Sequence, residues 1–483
     1  MNAFKRKSVY LAVAAGLGAV GVAGSAAAVN VSPNGLGEVL IYPYYTVRGG
    51  TETYMSIVNT TASAKAVKVR FTEGKNSREV LDFNLYMSPY DMWTGAVVAT
   101  ATGAKLITAD KSCTAPAIPA TGADFVNFAY SGTFLEGIVT TNNSDGENQD
   151  LDRTREGYFE VIEMGVITNA AHVTAVTHVA GVPANCAVVN TGALTVAPGM
   201  GTGGGLNALV APTGGLAGTA SLLNGAAGTD FGYDPVALAS FSDTNIWNTP
   251  GSILPDLRNA SPANSLIFKN GAVVDSTWLA ATDDAVTAVL MHDNIINEFV
   301  LDTATLSGTD WVVTMPTKRY NVPVDNPAVA PAGVAIGDPF TTRFFTGGAC
   351  EPVGLAYYNR EEGTQTSGVI FSPPPSVAGN ALCWESTVIT FNNSNVLSSV
   401  NGVNVPIAAG FQNGWLRASF GLTSSLGETQ TITSVDGNVY IGLPTVGFMV
   451  QDFVNGNVGG VLSNYGGNFN HKYTTMIDGV SVD

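Results

Sequence analysis

The sequence predicts an all-β protein built of antiparallel sandwiches, with long loop insertions and little helix. Three observations carry that reading. Apolar and polar residues alternate with period two in the clearest segments. Short strand-like runs recur along the chain between turns rich in Gly, Asn, Ser and Thr. Helical periodicity is scarce. With 45% hydrophobic and 12% charged residues among 483, the chain is not disordered, and its 55 glycines lack the Gly-X-Y period of collagen.

Taken in order, Glu38–Val47 and Thr53–Val58 read as the first strands. In Lys65–Phe71, Val67, Val69 and Phe71 share one face while Lys68 and Arg70 share the other. In Val80–Met87, Leu81, Phe83, Leu85 and Met87 oppose Asp82, Asn84 and Tyr86. Both segments predict half-buried strands, apolar toward a core and polar toward water. Thr60–Ser63, Glu73–Asn76 and Ser88–Asp91 supply the turns. Further runs are Tyr158–Met164, Thr309–Thr314, Glu385–Phe391, Trp415–Phe420 and Val446–Val450. Asp283–Val300 fits either a helix or two strands.

The N-terminal 28 residues read as an export signal. Lys5, Arg6 and Lys7 form a positive start, Val9–Ala23 is apolar, and Ala26 and Ala28 fit the A-x-A cleavage pattern, placing the cut after Ala28. The alternative, a membrane anchor, is disfavoured because the apolar run is short and rich in Gly and Ala. No later stretch offers the roughly 18 uninterrupted apolar residues of a membrane-spanning helix. Export suits the four cysteines, Cys113, Cys186, Cys350 and Cys383, as two disulfides. Three pairings are open, and Cys113–Cys186 with Cys350–Cys383 closes the smaller loops. The expected location is the cell surface, the medium or the periplasm.

A β-rich region is expected over 29–321, interrupted by a Gly/Ala-rich surface excursion at 193–228. A Pro-rich linker at 322–339 would separate it from a second β-rich region at 340–483, which alternatively completes the first sandwich. Pro373–Pro375 would form a stiff bend inside the second disulfide loop.

Thr53–Thr60, then Val67–Phe71, then Leu85–Pro89 resemble the layout of bacterial Ig-like surface modules, in which an Asn-Thr turn and a Ser-Pro corner join successive strands. Gly414–Arg417 followed by Val446–Phe448 is similar to the closing strands of such modules. The resemblance spans these stretches alone; it implies an Ig-like sandwich and a surface setting, and no activity. The acidic, His-poor, Gly/Ala/Val/Thr-rich composition also resembles that of bacterial surface-layer proteins.

The formal charge of -17, with 21 Lys+Arg against 38 Asp+Glu, argues against nucleic acid as a partner. The densest acidic stretch, Asn142–Asp152, places Asp145, Glu147, Asp150 and Asp152 around Gly146. Hard oxygen ligands at such spacing could hold calcium, and no other cofactor is read from the sequence, but the EF-hand spacing is absent. The missing ligand pattern favours a solvated acidic loop over a calcium site. His292, Asp293, Asn294, Asn297 and Glu298 form the most enzyme-like cluster, with a turn or strand-end role as the competing reading. His172 and His178 match no metal-binding spacing. Glu160 and Glu163, three apart in one strand, point to opposite faces and do not make a glycosidase pair. Gly201–Gly205 lacks the strand–helix context of a phosphate loop. Tyr42, Tyr44, Tyr45 and the six tryptophans could line a sugar platform, with packing between sheets as the default.

The expectation is therefore an exported, non-enzymatic structural or interaction protein of the envelope or surface, surface-layer-like, whose partners are other envelope components or further copies of itself. A secreted carbohydrate- or small-ligand-binding sandwich is the first alternative. A secreted hydrolase built on His292, Asp293 and Glu298 is the second.

Overall fold

The computed structural model describes residues 28–131, 134–136, 139–141, 144–191, 209–269, 271–280, 282–323, 335–344, 346–367 and 381–482. Residues 1–27 of the export signal, the glycine run at 201–205 and Pro373–Pro375 lie outside the described residues.

Strands dominate, and every expected run is one. The first sandwich opposes two antiparallel sheets. One runs in the order Asn30–Val31, Val236–Ala239, Val39–Thr46, Glu156–Ile167, Ala64–Glu73, Glu79–Met87, Cys113–Ala115, with Leu209–Val210 beside Glu156–Ile167. The other runs Thr229–Tyr233, Leu216–Asn224, Glu52–Asn59, Met92–Ala99, Ala104–Ile107, Ala123–Asp124. Between them Tyr42, Val67, Val69, Phe71, Phe83 and Leu85 meet Met55, Ile57, Trp93, Val97 and Leu222. Tyr42 stacks on Phe159 at 4.1 Å, and its hydroxyl donates to the Ser56 carbonyl at 2.7 Å. The buried ring thus keeps a partner for its polar tip.

The second sandwich opposes a sheet of Thr364–Ser367, Gly354–Asn359, Asn413–Ser419, Asn294–Val300 and Lys472–Thr474 to one of Gly402–Val405, Ser386–Phe391, Ser307–Thr314, Val446–Val458 and Val461–Asn470. Its core holds Phe299, Trp311, Val313, Leu355, Tyr357, Phe391, Leu416 and Met449. Alternation along the latter sheet feeds two cores at once. Trp311, Val313 and Met449 point into the second, while Val312, Val388, Phe448 and Val450 join the first. Tyr233 of the first sandwich stacks on Phe448 at 4.6 Å, and Thr314 donates to the Pro43 carbonyl at 2.6 Å. One sheet is therefore shared, and the two sandwiches are joined through it.

Four features depart from the sequence reading or decide what it left open. Strand pairing crosses the 322–339 stretch, since Asn294–Val300 and Ser307–Thr314 pair with strands beyond it. Proline stops a strand, but it does not dictate which strands on either side pair. Within the Gly/Ala-rich tract, Leu216–Asn224 lies between Glu52–Asn59 and Thr229–Tyr233 as a sheet strand rather than a surface excursion. Asp283–Val300 divides into a helix, Asp284–Val289, and two strands, Met291–His292 and Asn294–Val300.

The fourth difference is the largest. Lys68 and Arg70 do not face water: both are buried, as are Asn84, Tyr86 and Glu160. That face of the sheet is covered by the chain around 240–260, where Asn248 accepts from Asn84, and by the segment around helix Lys318–Asn321. Tyr158 donates to the Pro316 carbonyl there. The charges persist because they are paired, Lys68 with Asp82, and Arg70 with Glu79 and Glu160, both at 2.9 Å. Lys65 and Glu163, both fully buried, pair at 2.6 Å on the opposite face.

The cystines are Cys113–Cys186 and Cys350–Cys383, closing 73 and 33 residues of chain. The first ties an edge strand to the helical segment that covers the sheet. The second lies beside the short pair Glu351–Pro352 and Ala381–Leu382. Lys318 anchors that region by donating to the carbonyls of Ala349 and Leu382 at 2.6 and 3.3 Å. Burial pushes its ammonium down to about 8.

Candidate functional site

Among the described residues, the acidic loop, the junction of the sandwiches and the outer face of the second sandwich each bring candidate side chains together.

The loop acids do not gather around a common point. Asp145 is buried against Arg153, at 2.6 and 2.9 Å, and Arg153 also grips Glu73 through two contacts of 2.9 Å. The Arg153 guanidinium lies over the Tyr130 ring at 4.2 Å. Burial raises the Asp145 carboxyl, but hydrogen bonds and charge from Arg153 outweigh it and hold the group below the usual range. Glu147 pairs with Lys75 and accepts from the Gly347 amide at 2.6 Å, which docks the loop on the second sandwich. Asp150 caps the 3-10 turn Leu151–Arg155 by accepting from the Asp152 amide. Asp152 pairs with Arg48 and Arg155 at 3.0 and 3.1 Å. Three of the four candidate calcium carboxylates are thus matched to cations, and the fourth is a cap. Among the described residues no group of three or more His, Cys, Asp or Glu could hold a metal ion. Asn142 and Asn143 lie outside the described residues. The nearby guanidinium of Arg153 was the signal in the sequence that this stretch is a clamp.

The His292 cluster is dispersed. His292 ends the short strand Met291–His292, its Nδ1 lies 3.1 Å from the Thr445 hydroxyl, and its ring packs on Tyr473 at 4.0 Å. It lines a cavity of about 170 Å³ between the sandwiches, with Asp234, Thr445, Phe448, His471 and Tyr473. Asp293 accepts from Asn294 at 2.6 Å. Asn297 donates to the Phe469 carbonyl at 3.2 Å and lies 3.1 Å from Nδ1 of His471. Glu298 sits on the opposite, solvent-facing side of the strand and lines a separate groove. The histidine and acids of a hydrolase are therefore not brought into one pocket.

His471, which carries no motif, is the histidine the fold uses most. Its Nε2 donates to the Val312 carbonyl at 2.9 Å and its Nδ1 accepts from Asn297, which fixes one neutral tautomer. Burial lowers its pKa to about 4. Nothing local marks this residue, because its partners come from strands about 160 positions away.

The third place is an open groove of about 570 Å³ where the strand Lys472–Thr474 stops short of the end of Asn294–Val300. The backbone edge so exposed is satisfied by side chains. Trp311 Nε1 donates to the Glu298 carbonyl at 3.0 Å, and Thr309 accepts from the Val300 amide at 2.9 Å. Cross-strand register sets Glu298, Trp415 and Tyr358 in one row, with Ile296 and Arg417 in the next. Trp415 stacks on Tyr358 at 4.3 Å and 13°, yet remains 37% exposed. Phe469 and Lys472 form one wall of the groove, and Asn359 and Arg360 the other. Phe469 is directly opposite Met449 in the hairpin, so Tyr465, four residues away, shares its face and lies about 14 Å along the strand. Among the described residues neither the Glu298 carboxylate nor the Arg417 guanidinium has a hydrogen-bond or ion-pair partner. The alternation Trp415–Leu416–Arg417–Ala418 carried the signal, because Trp415 shares a face with Arg417 and not with the core residues. Tyr42, Tyr44, Tyr45, Trp93, Trp247 and Trp311, by contrast, are fully buried core.

No protein-family model, curated protein or solved structure matches this chain. None of the described helices is long and apolar enough to cross a membrane.

Proposed function

We propose that this protein is an exported, non-enzymatic component of the cell envelope or surface, which acts by keeping a rigid shape and presenting surfaces to other envelope components or to further copies of itself. The observation that carries the reading is cross-linking. All four cysteines are committed to cystines, leaving none free, and cystines persist in oxidising compartments. The first tethers a covering segment to a sheet edge and the second clamps a short strand pair, where they resist local opening. Buried ion pairs such as Lys65–Glu163 and Arg153–Asp145 act in the same direction, since each demands one geometry to offset its desolvation. The acidic balance of the chain supports solubility outside the cell and steering toward cationic surfaces.

The test is fractionation of the native cells with thiol alkylation before lysis, followed by imaging of the fraction that holds the protein. The reading expects all four cysteines to resist alkylation and the protein to leave the cytoplasm. Ordered arrays or fibres in that fraction mark self-association, and dispersed particles mark other partners. Alkylated thiols on a cytoplasmic pool would overturn the reading.

A further inference from the structure

We propose that the groove beside Trp415 is a binding site for a saccharide chain. This rests on the reading of the protein as one that works by recognition, and it gives that recognition a place and a ligand class.

A sugar ring presents a flat face of C–H bonds and a rim of hydroxyls. Its site therefore needs an exposed aromatic plane ringed by both donors and acceptors. The groove supplies both. The Trp415 indole is held flat by Tyr358 behind it, so little side-chain freedom is lost when a ligand settles on the other face. Glu298 and Asn413 supply acceptors next to the indole, while Arg360, Lys472 and Asn413 supply donors. The volume of about 570 Å³ lies within the range of ligand clefts, roughly 300–1,000 Å³. Beyond the groove, Phe469 and Tyr465, 51% and 60% exposed, continue an aromatic strip along one face of the hairpin. A strip of that length suits a chain of several sugar units better than a single ring.

Other occupants fit less well. A lipid tail would strand Glu298, Arg360 and Lys472 against hydrocarbon. An added peptide strand needs a free backbone edge, and here Trp311 and Thr309 already occupy the exposed groups at Glu298 and Val300.

The test uses the purified full chain on a glycan array spanning neutral, amino and uronic sugars, followed by calorimetric titration of the glycan retained best. The inference expects at least one glycan to bind and Trp415→Ala to weaken it by about tenfold or more. Glu298→Gln should also weaken it, with an unchanged melting curve, and this variant keeps the test decisive if Trp415→Ala fails to fold. Binding should shift tryptophan emission in the wild type and not in Trp415→Phe. Silence across the array, or a bound glycan indifferent to both substitutions, would overturn the inference. Array silence from a protein that fractionates with the envelope would remove the groove alone and leave the broader reading standing.

Discussion

Two sheet faces in this molecule carry the same kind of sequence and meet opposite fates. In Ala64–Glu73 the residues between the apolar ones are Lys68, Arg70 and Thr72, and in Asn413–Ser419 they are Trp415 and Arg417. Both strands carry one apolar face and one that is not. The first is covered by chain from 240–260 and by the Lys318–Asn321 segment, so its cations are desolvated and must be paired. The second is exposed, and among the described residues its Glu298 and Arg417 are matched to no opposite charge. Period two reports which residues share a face, but not whether another segment will cover that face. Charge on a covered face becomes structural, whereas charge on an open face stays available to a ligand.

That comparison can be broken by substitution. Arg70→Ala strands Glu160 in the covered face and should cost about 3–5 kcal/mol in urea unfolding, enough to lower yield of folded protein. Arg153→Ala, which strands Glu73 and Asp145, should do the same at the loop clamp. An equal loss from Arg417→Ala would erase the distinction between the faces.

Next in size are the cystines. Replacing Cys113 and Cys186 by Ser should cost about 2–5 kcal/mol, somewhat more than replacing Cys350 and Cys383, because the longer loop restricts the unfolded chain more. Thermal unfolding of the two double variants checks the order.

Smaller effects come from titration at the junction. Burial raises the Asp310 carboxyl to about 6, against hydrogen bonds from the Leu397 amide and Ser394. Between about pH 4 and pH 6 the native protein holds a proton that the unfolded chain has released, so this group's contribution falls as pH rises. The Tm of Asp310→Asn relative to wild type should therefore climb across that window. His471, lowered to about 4, works in the other direction. Its contribution is intact above about pH 6.5 and is lost as pH falls toward 4. His471→Gln should narrow its deficit against wild type as the solution is acidified. Last comes Arg417→Ala, which should leave stability within about 0.5 kcal/mol.

Much of the framework was legible because alternation is a local property. Val67, Val69 and Phe71 share a core face as their spacing requires, and the strands from Glu38–Val47 to Val446–Val450 lie where their patterns put them. Leu216–Asn224 was hidden by composition, since Gly and Ala make a poor strand signal even where neighbouring strands impose one. Helix Asp284–Val289 is too short for its period to stand out. For the candidate sites, Arg153 was close enough in sequence to identify the fate of Asp145, but Glu73 was not.

The order of amino acids by itself determined that most of the segments are extended and which of their side chains share a face, because these depend on neighbours one or two residues apart. Only the tertiary structure decided that one polar face is sealed and another open, and that His471 and not Glu298 accompanies His292. Burial is set by segments hundreds of residues away in sequence, and the cost of desolvating a charge is paid wherever those segments come to rest.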